Sequence, residues 1–412
     1  MNTIPAETWT NWSGNQSFNP SAVYRPRDEA DYIETVQRLI AGREHLRVAG
    51  SGHSFTPLVE TDGSLVEIPA VTGVLGVDAE RRTAEILAGT QLLAIGAPLW
   101  DAGFALKNQG DTDTQTISGA IATATKGSGR NYSNISSSVV GLRIVDGTGQ
   151  VIDIDESTPD LLLAGRVSLG LLGAVTRVTM AVQPRYLLRE HNRVTSIDDF
   201  LAHWREYLET YRHSSIFYCV SDEAAAMYDL GPLKKGDTLV KLLSEEQPQD
   251  GVEYGVEGEH DARVGRSHLV FPDVTTEVST HVEAEYQLDA AVWLEAFGAL
   301  RELCERYPDG VSPIQVRWQK GDDAWLSPQY GRDTVAISVS ATRLPDAGVF
   351  LRKAHAVLMP FGARPHWGKM HYATPAEIAA AYPKLEDFKR VRAELDPAGL
   401  FLNSYLRTLL SI

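Results

Sequence analysis

A short apolar run, His45 to Ala49, breaks into Gly50-Ser51-Gly52-His53-Ser54-Phe55, and no helix pattern follows it. Two glycines two apart let the backbone turn tightly and approach a ligand, because no Cβ stands in the way. Successive N–H groups of such a turn form a concavity that suits phosphate oxygens. The doubly wound dinucleotide-binding fold needs a third glycine and a helix opening directly behind the turn. Phe55-Thr56-Pro57 supplies neither, so that architecture is excluded at this site. What remains is a strand that ends at a histidine, a nucleophile whose pKa lies near neutrality.

The pattern around the turn predicts a mixed α+β fold. Residues 28–41 read as a helix, with Tyr32, Ile33, Val36 and Ile40 on one face and acids in the first turn. Strands are expected at 45–49, 65–68, 83–88 and 104–108, with a helix over 91–102 stopped by Gly103. Asn108 to Gly129 is then rich in Gly, Ser, Thr and Ala and poor in large side chains. So long a stretch with so little to bury is uncommon in a compact domain unless it wraps a ligand. Its hydroxyls and amides suit a pyrophosphate and a ribose. Asp146-Gly147-Thr148-Gly149 joins strands 139–145 and 151–154 as a hairpin. Ser168 to Thr176 is a second small-residue turn, leading into a strand through Val178 and Val182.

From about residue 186 the texture changes. Residues 197–211 form an amphipathic helix, 244–268 read as a polar exposed excursion, and 288–303 as a helix with Leu288, Val292, Ala296 and Leu300 in register. Strands 314–318 and 334–342 follow, so 186–375 reads as a second domain, an antiparallel sheet with helices. One or two helices over 375–395 end at Asp396-Pro397-Ala398-Gly399.

A net charge of −16 argues against nucleic-acid partners. No run of about 18 apolar residues occurs, so no membrane span is expected. Met1 to Asn15 lacks the basic start and apolar centre of a secretory signal, so a cytoplasmic protein is expected. Cys219 and Cys304 lack metal-ligand spacing and read as reduced and buried, and His366 with His371 has no supporting ligand cluster, so no metal site is expected.

Six stretches together resemble the vanillyl-alcohol-oxidase type of flavoprotein, within it the sugar-oxidising branch of alditol oxidases and aldonolactone oxidoreductases. They are Arg47–Ser54; Asn108–Gly129; Ser168–Thr176; Trp325-Leu326-Ser327-Pro328 with Gly331-Arg332-Asp333; Arg364–His371; and Asp396–Gly399 with Asn403. The resemblance implies an FAD-binding domain, 1–185 completed by 376–412, and a cap domain over the flavin at 186–375. It implies FAD contacts at Val48, Gly50, Ser51, Gly52, His53 and Ser54, at Gly110, Ser118, Gly119, Ala122, Thr123, Thr125 and Gly127, and at Gly173, Val175 and Asn403. His53 corresponds to the family's flavin attachment point. Arg317 and Lys369 correspond to its cationic pair, with Gln315, Asp111, Ser338, Ser340 and His371 toward a carbohydrate substrate.

Departures from the family pattern are Gln315 for a glutamate, Lys126 for a histidine, and Ser338 and Ser340 for histidine and threonine. The first is expected to leave Arg317 without a close anion, which would suit a sugar acid, and the second to add a cation where flavin or substrate could feel it. Gly110 stands where a small residue decides oxygen access, and glycine favours an oxidase with O2 as acceptor. The alternatives are a dehydrogenase passing electrons to a quinone or cytochrome, and a flavin-binding protein that no longer turns over.

Overall fold

The computed structural model describes residues 3–4, 7–226, 233–258, 262–272, 281–307, 311–341 and 347–412. Strands Ala22–Tyr24, Ser64–Glu67 and Leu46–Ala49 lie parallel, with Thr3–Ile4 antiparallel at one edge. The crossover helix Glu29–Ala41 starts where the Asp28 side chain accepts from the Asp31 amide. It buries Tyr32, Val36, Leu39 and Ile40 against Leu46, Val66, Ile68 and Phe401.

A second, antiparallel sheet has the order Val151–Ile154, Val139–Val145, Ala174–Pro184, Thr83–Leu87, Val74–Asp78, with Phe104–Leu106 on the far end of Ala174–Pro184. In Ala174–Pro184, alternate residues through Val182 are buried, the period-2 signature of a half-covered strand. That face shares a core with helix Ile117–Ala122, helix Pro159–Arg166 and three C-terminal helices, Pro375–Ala381, Leu385–Leu395 and Ser404–Leu410.

The third sheet is antiparallel and carries ten strands among the described residues. Its centre runs Asp237–Glu246, His213–Tyr218, Ile314–Gln319, Thr334–Ala341, Val282–Asp289. Its register separates two chemistries. Ile216, Tyr218, Ile314, Val316, Ile337, Val339, Ala284 and Tyr286 pack on helices Ile197–Thr210, Trp293–Arg306 and Ala347–Leu358. The intervening positions pair Phe217 with Gln315, Gln315 with Ser338, Ser338 with Glu285, and Ser340 with Glu283. Successive side chains along a strand point to opposite faces, so these residues, polar apart from Phe217, share the other side.

Four expectations change. The helix placed at 288–303 is strand through Asp289 and helix only from Trp293: Leu288 continues the alternation of Ala284 and Tyr286, and the Asp289 carboxylate turns the chain by accepting from the Ala291 amide. The 244–268 excursion is tied to the third sheet at both ends, by Asp237–Glu246 and by Val264–Arg266, while 259–261 lie outside the described residues. Thr342, placed at the end of a strand, also lies outside them. The cradle contains a helix, Ile117–Ala122, capped by Thr116. A third C-terminal helix, Ser404–Leu410, follows its cap Asn403.

Candidate active site

Three long-range contacts build the Gly50–Ser54 loop. Arg47, buried in the strand before it, donates to the carbonyls of Phe401 (2.5 Å), Leu169 (2.6 Å) and Gly170 (3.1 Å). The Asp396 carboxylate accepts from the amides of Leu400 and Phe401, which explains Asp396-Pro397-Ala398-Gly399 as a brace behind the strand. A Cβ at Gly50 would stand 2.1 Å from Thr116 Oγ1, and Gly52 has φ +69°, so both positions require glycine. The hairpin Trp9–Phe18 closes over the loop: the Trp12 amide donates to Gly52 O, and the Trp12 ring stacks on His53 with centroids 5.4 Å apart. His53 Nε2 lies 2.8 Å from Thr114 Oγ1.

Along this loop runs a long, open groove. Val48, Gly50, Ser51, Gly52, His53 and Ser54 form one wall. Ser118, Gly119, Ala122 and Thr123 form the second, and Ser168–Gly170 with Gly173 and Val175 the floor. The amides of Ser51 to Ser54 donate to no protein acceptor among the described residues. A long, small-residue groove with unspent donors at one end fits a dinucleotide cofactor.

At the His53 end the groove meets a second, smaller cavity, with Thr112, Gln115, His281, Glu283, His366 and Lys369 in both walls. The polar face of the ten-stranded sheet forms its ceiling. Arg317 is paired with Asp111. Lys369 Nζ lies 2.5 Å from Glu283, and Lys126 Nζ lies 2.8 Å from Glu285. Gln315 donates to Asp111 at 3.5 Å and accepts from Ser338 at 3.2 Å.

Residues 20–155 match the FAD binding domain model, and 250–409 the D-arabinono-1,4-lactone oxidase model. An L-gulono-1,4-lactone dehydrogenase of Mycobacterium tuberculosis is 33% identical over 98% of this chain and 99% of its own. The chain belongs to the aldonolactone oxidoreductase family, in the sugar branch of the vanillyl-alcohol-oxidase type. This FAD-dependent oxidoreductase is also similar to an alditol oxidase of Streptomyces, 28% identical over 97% of this chain and 98% of that one. An L-gulonolactone oxidase of Mus musculus is 26% identical over 96% of each. Cholesterol oxidase from Brevibacterium sterolicum has the same fold, with TM-score 0.81 at 14% identity over 99% of this chain and 98% of that one.

The electrostatics of the flavoenzyme's site correct two expectations. Arg317 does have a close anion, Asp111, brought in from the cradle rather than from its own strand. Burial pushes its guanidinium down to about 9, so a bare cation there would be costly. Nor is Lys126 an added free charge. Burial alone would raise the Glu285 carboxyl, but Lys126, with His366 and Lys369 behind it, outweighs that and holds it below the usual range. Glu283 and Glu285 went unseen in the sequence reading. The signal was present: Glu283-Ala284-Glu285-Tyr286-Gln287 alternates polar and apolar on a strand buried on both sides.

Other predicted residues stand elsewhere. His371 is half-buried and bonded to Tyr405 through Nε2 (3.1 Å), in the wall of neither cavity. Asn403 caps the last helix and donates to the carbonyls of Pro57 and Glu60, so it braces the segment behind the histidine loop. Gly127 is a packing position, where a Cβ would meet Gln109 O at 2.0 Å. Gly110 and Thr125 line the second cavity rather than the groove. Ser338 reaches that cavity through Gln315, and Ser340 lies on the same sheet face without lining it. Among the described residues no cluster of metal-binding side chains occurs, and no helix is long and apolar enough to cross a membrane.

Burial pushes His53, His366 and His371 down to about 4, and His213 to about 3. All four are therefore neutral in the folded protein, while the unfolded chain takes up protons below about 6.5. Stability is full above that value and falls as pH drops from 6.5 toward 4, because the unfolded state then binds more protons. An unfolding free energy from urea titration that is lower at pH 5 than at pH 7, by about 1–2 kcal/mol per buried histidine, is the expected result.

Proposed function

We propose that this enzyme oxidises a hydroxyl of a neutral sugar lactone or alditol, with O2 as electron acceptor. The observation that carries the reading is the second cavity: polar, set with three ion pairs, and opening onto the cofactor groove at His53. The names of the relatives, L-gulono-1,4-lactone dehydrogenase and alditol oxidase, point to the same substrate class. In this reading residues 1–185 with 376–412 hold FAD, and 186–375 cap it.

The bound flavin supplies a two-electron acceptor for hydride from the substrate carbon. The protein supplies charge and position. Lys369, at the junction of the two cavities, and Arg317 stabilise negative charge developing on the reacting oxygen. Gln315, Asp111 and Ser338 orient the remaining hydroxyls. Neutral at physiological pH, His53 presents a lone pair for a covalent bond to the flavin. The two buried, free cysteines suit a reducing, cytoplasmic compartment. Gly110 supports O2 as acceptor: it lines the second cavity, and a Cβ there would come within 3.0 Å of Thr125 Cγ2, narrowing the passage.

Acid precipitation of the purified protein tests the tether. Yellow colour is expected to stay with the pellet of the wild type and to leave that of His53→Ala. Colour washing out of the wild type refutes the bond. Oxygen uptake on a panel of lactones and alditols, set against the rate with a quinone acceptor, tests the rest. A faster quinone rate with negligible oxygen uptake makes the enzyme a dehydrogenase, and no turnover with any neutral sugar refutes the substrate class.

A further inference from the structure

Six charged side chains line the second cavity among the described residues, and they form three pairs: Asp111 with Arg317, Glu283 with Lys369, Glu285 with Lys126. The carboxylates of two of these pairs stand on one strand, Val282–Asp289. Asp111 alone comes from the loop ahead of the cradle helix, and it reaches across to the sheet to meet Arg317. Its second contact is Gln315, two residues before Arg317 on the same strand.

We infer that Asp111 is a specificity-determining residue: by neutralising Arg317 it makes the cavity a receptor for uncharged sugars and turns away sugar acids. The inference rests on the substrate class proposed above and adds the residue that enforces it.

The physical argument concerns partners. Arg317 and Asp111 have side chains only 10% and 16% exposed, so water screens neither. A sugar acid entering the wild-type cavity brings a fourth carboxylate to three cations that each hold one already. It must displace Asp111 from Arg317, which strands a buried charge, or stand unpaired beside it, and either is unfavourable. A lactone or alditol offers hydroxyls to the same groups without disturbing a pair. Removing the Asp111 charge while keeping its shape leaves Arg317 with an open fork suited to a bidentate carboxylate.

The test compares one carbon skeleton in two charge states, L-gulono-1,4-lactone and L-gulonate, titrated into the flavin-loaded protein and read by the visible flavin spectrum. Wild type is expected to bind the lactone at least tenfold tighter than the acid. Asp111→Asn is expected to bind L-gulonate at least tenfold tighter than wild type does, about 1.4 kcal/mol. Adding Arg317→Gln to Asp111→Asn is expected to cancel that gain, which a loosened cavity would not do. Unchanged gulonate affinity in Asp111→Asn, or a gain that survives Arg317→Gln, overturns the inference. The gain in acid binding is read without the lactone and without turnover. A wild type that oxidises no neutral sugar therefore refutes the proposed function while the role of Asp111 is still decided.

Discussion

Lys369→Met is expected to lower kcat/KM for the best neutral substrate by about 10²–10³, the range for loss of one preorganised charge at a reacting oxygen. The flavin spectrum and flavin content should be those of the wild type. Lys369 reaches the junction of groove and cavity from a segment anchored at both ends: its amide donates to His366 O at 3.0 Å, and the Met370 amide to Glu283 O at 2.8 Å. Its loss also leaves Glu283, at 12% side-chain exposure, facing His281 Nε2 at 4.0 Å in place of a fixed cation, so charge imbalance adds to the defect. The double variant Lys369→Met/Glu283→Gln separates the two. Thermal stability should return toward wild type in the double variant, while kcat/KM stays low. Recovery of kcat/KM there would show that Lys369 matters only as a counter-ion.

Glu285→Gln carries the largest expected cost in stability. Lys126 and Glu285 have side chains 2% and 4% exposed, and their contact joins the cradle to the sheet ceiling. Breaking such a pair on one side typically costs about 3–5 kcal/mol, because the remaining charge stays buried without a partner. Replacing both members by apolar or neutral residues is often close to neutral. Lys126→Met with Glu285→Gln should therefore recover most of what Glu285→Gln loses, read from urea midpoints. Additive losses in the double variant would mean that each residue acts through other contacts.

Local patterns made the first half of the fold legible. The 28–41 helix, the 139–154 hairpin and the strand into the Gly50–Ser54 turn follow from periodicity, capping and turn residues, and all three stand in the structure. The helix at 288–303 was misplaced because apolar residues four apart also satisfy a strand followed by a helix: Leu288 belongs to one and Ala296 to the other. At the site, residues carried on a contiguous motif lie together, since residues of the small-residue stretches at 50–54 and 118–123 line one groove. Partners that tertiary folding brings together were not. Nothing near Arg317 in sequence announces Asp111, 206 positions away, and nothing near Lys126 announces Glu285. Reading Gln315 as a lost charge was sound for the strand and wrong for the cavity, because the compensating acid arrives from another element.

The alternation of the ten-stranded sheet has a consequence for how such an enzyme can diversify. Along Val282–Asp289, Ile314–Gln319 and Thr334–Ala341, odd and even positions answer to different demands. One set holds the helices behind the sheet, and the other faces the chemistry. A change at 315, 338 or 283 rewrites what the cavity meets and leaves untouched the neighbours at 316, 337 and 284 that keep the strand in place. The scaffold is thus a stable plate with an exchangeable surface, on which a new substrate preference can be written without first securing a new core.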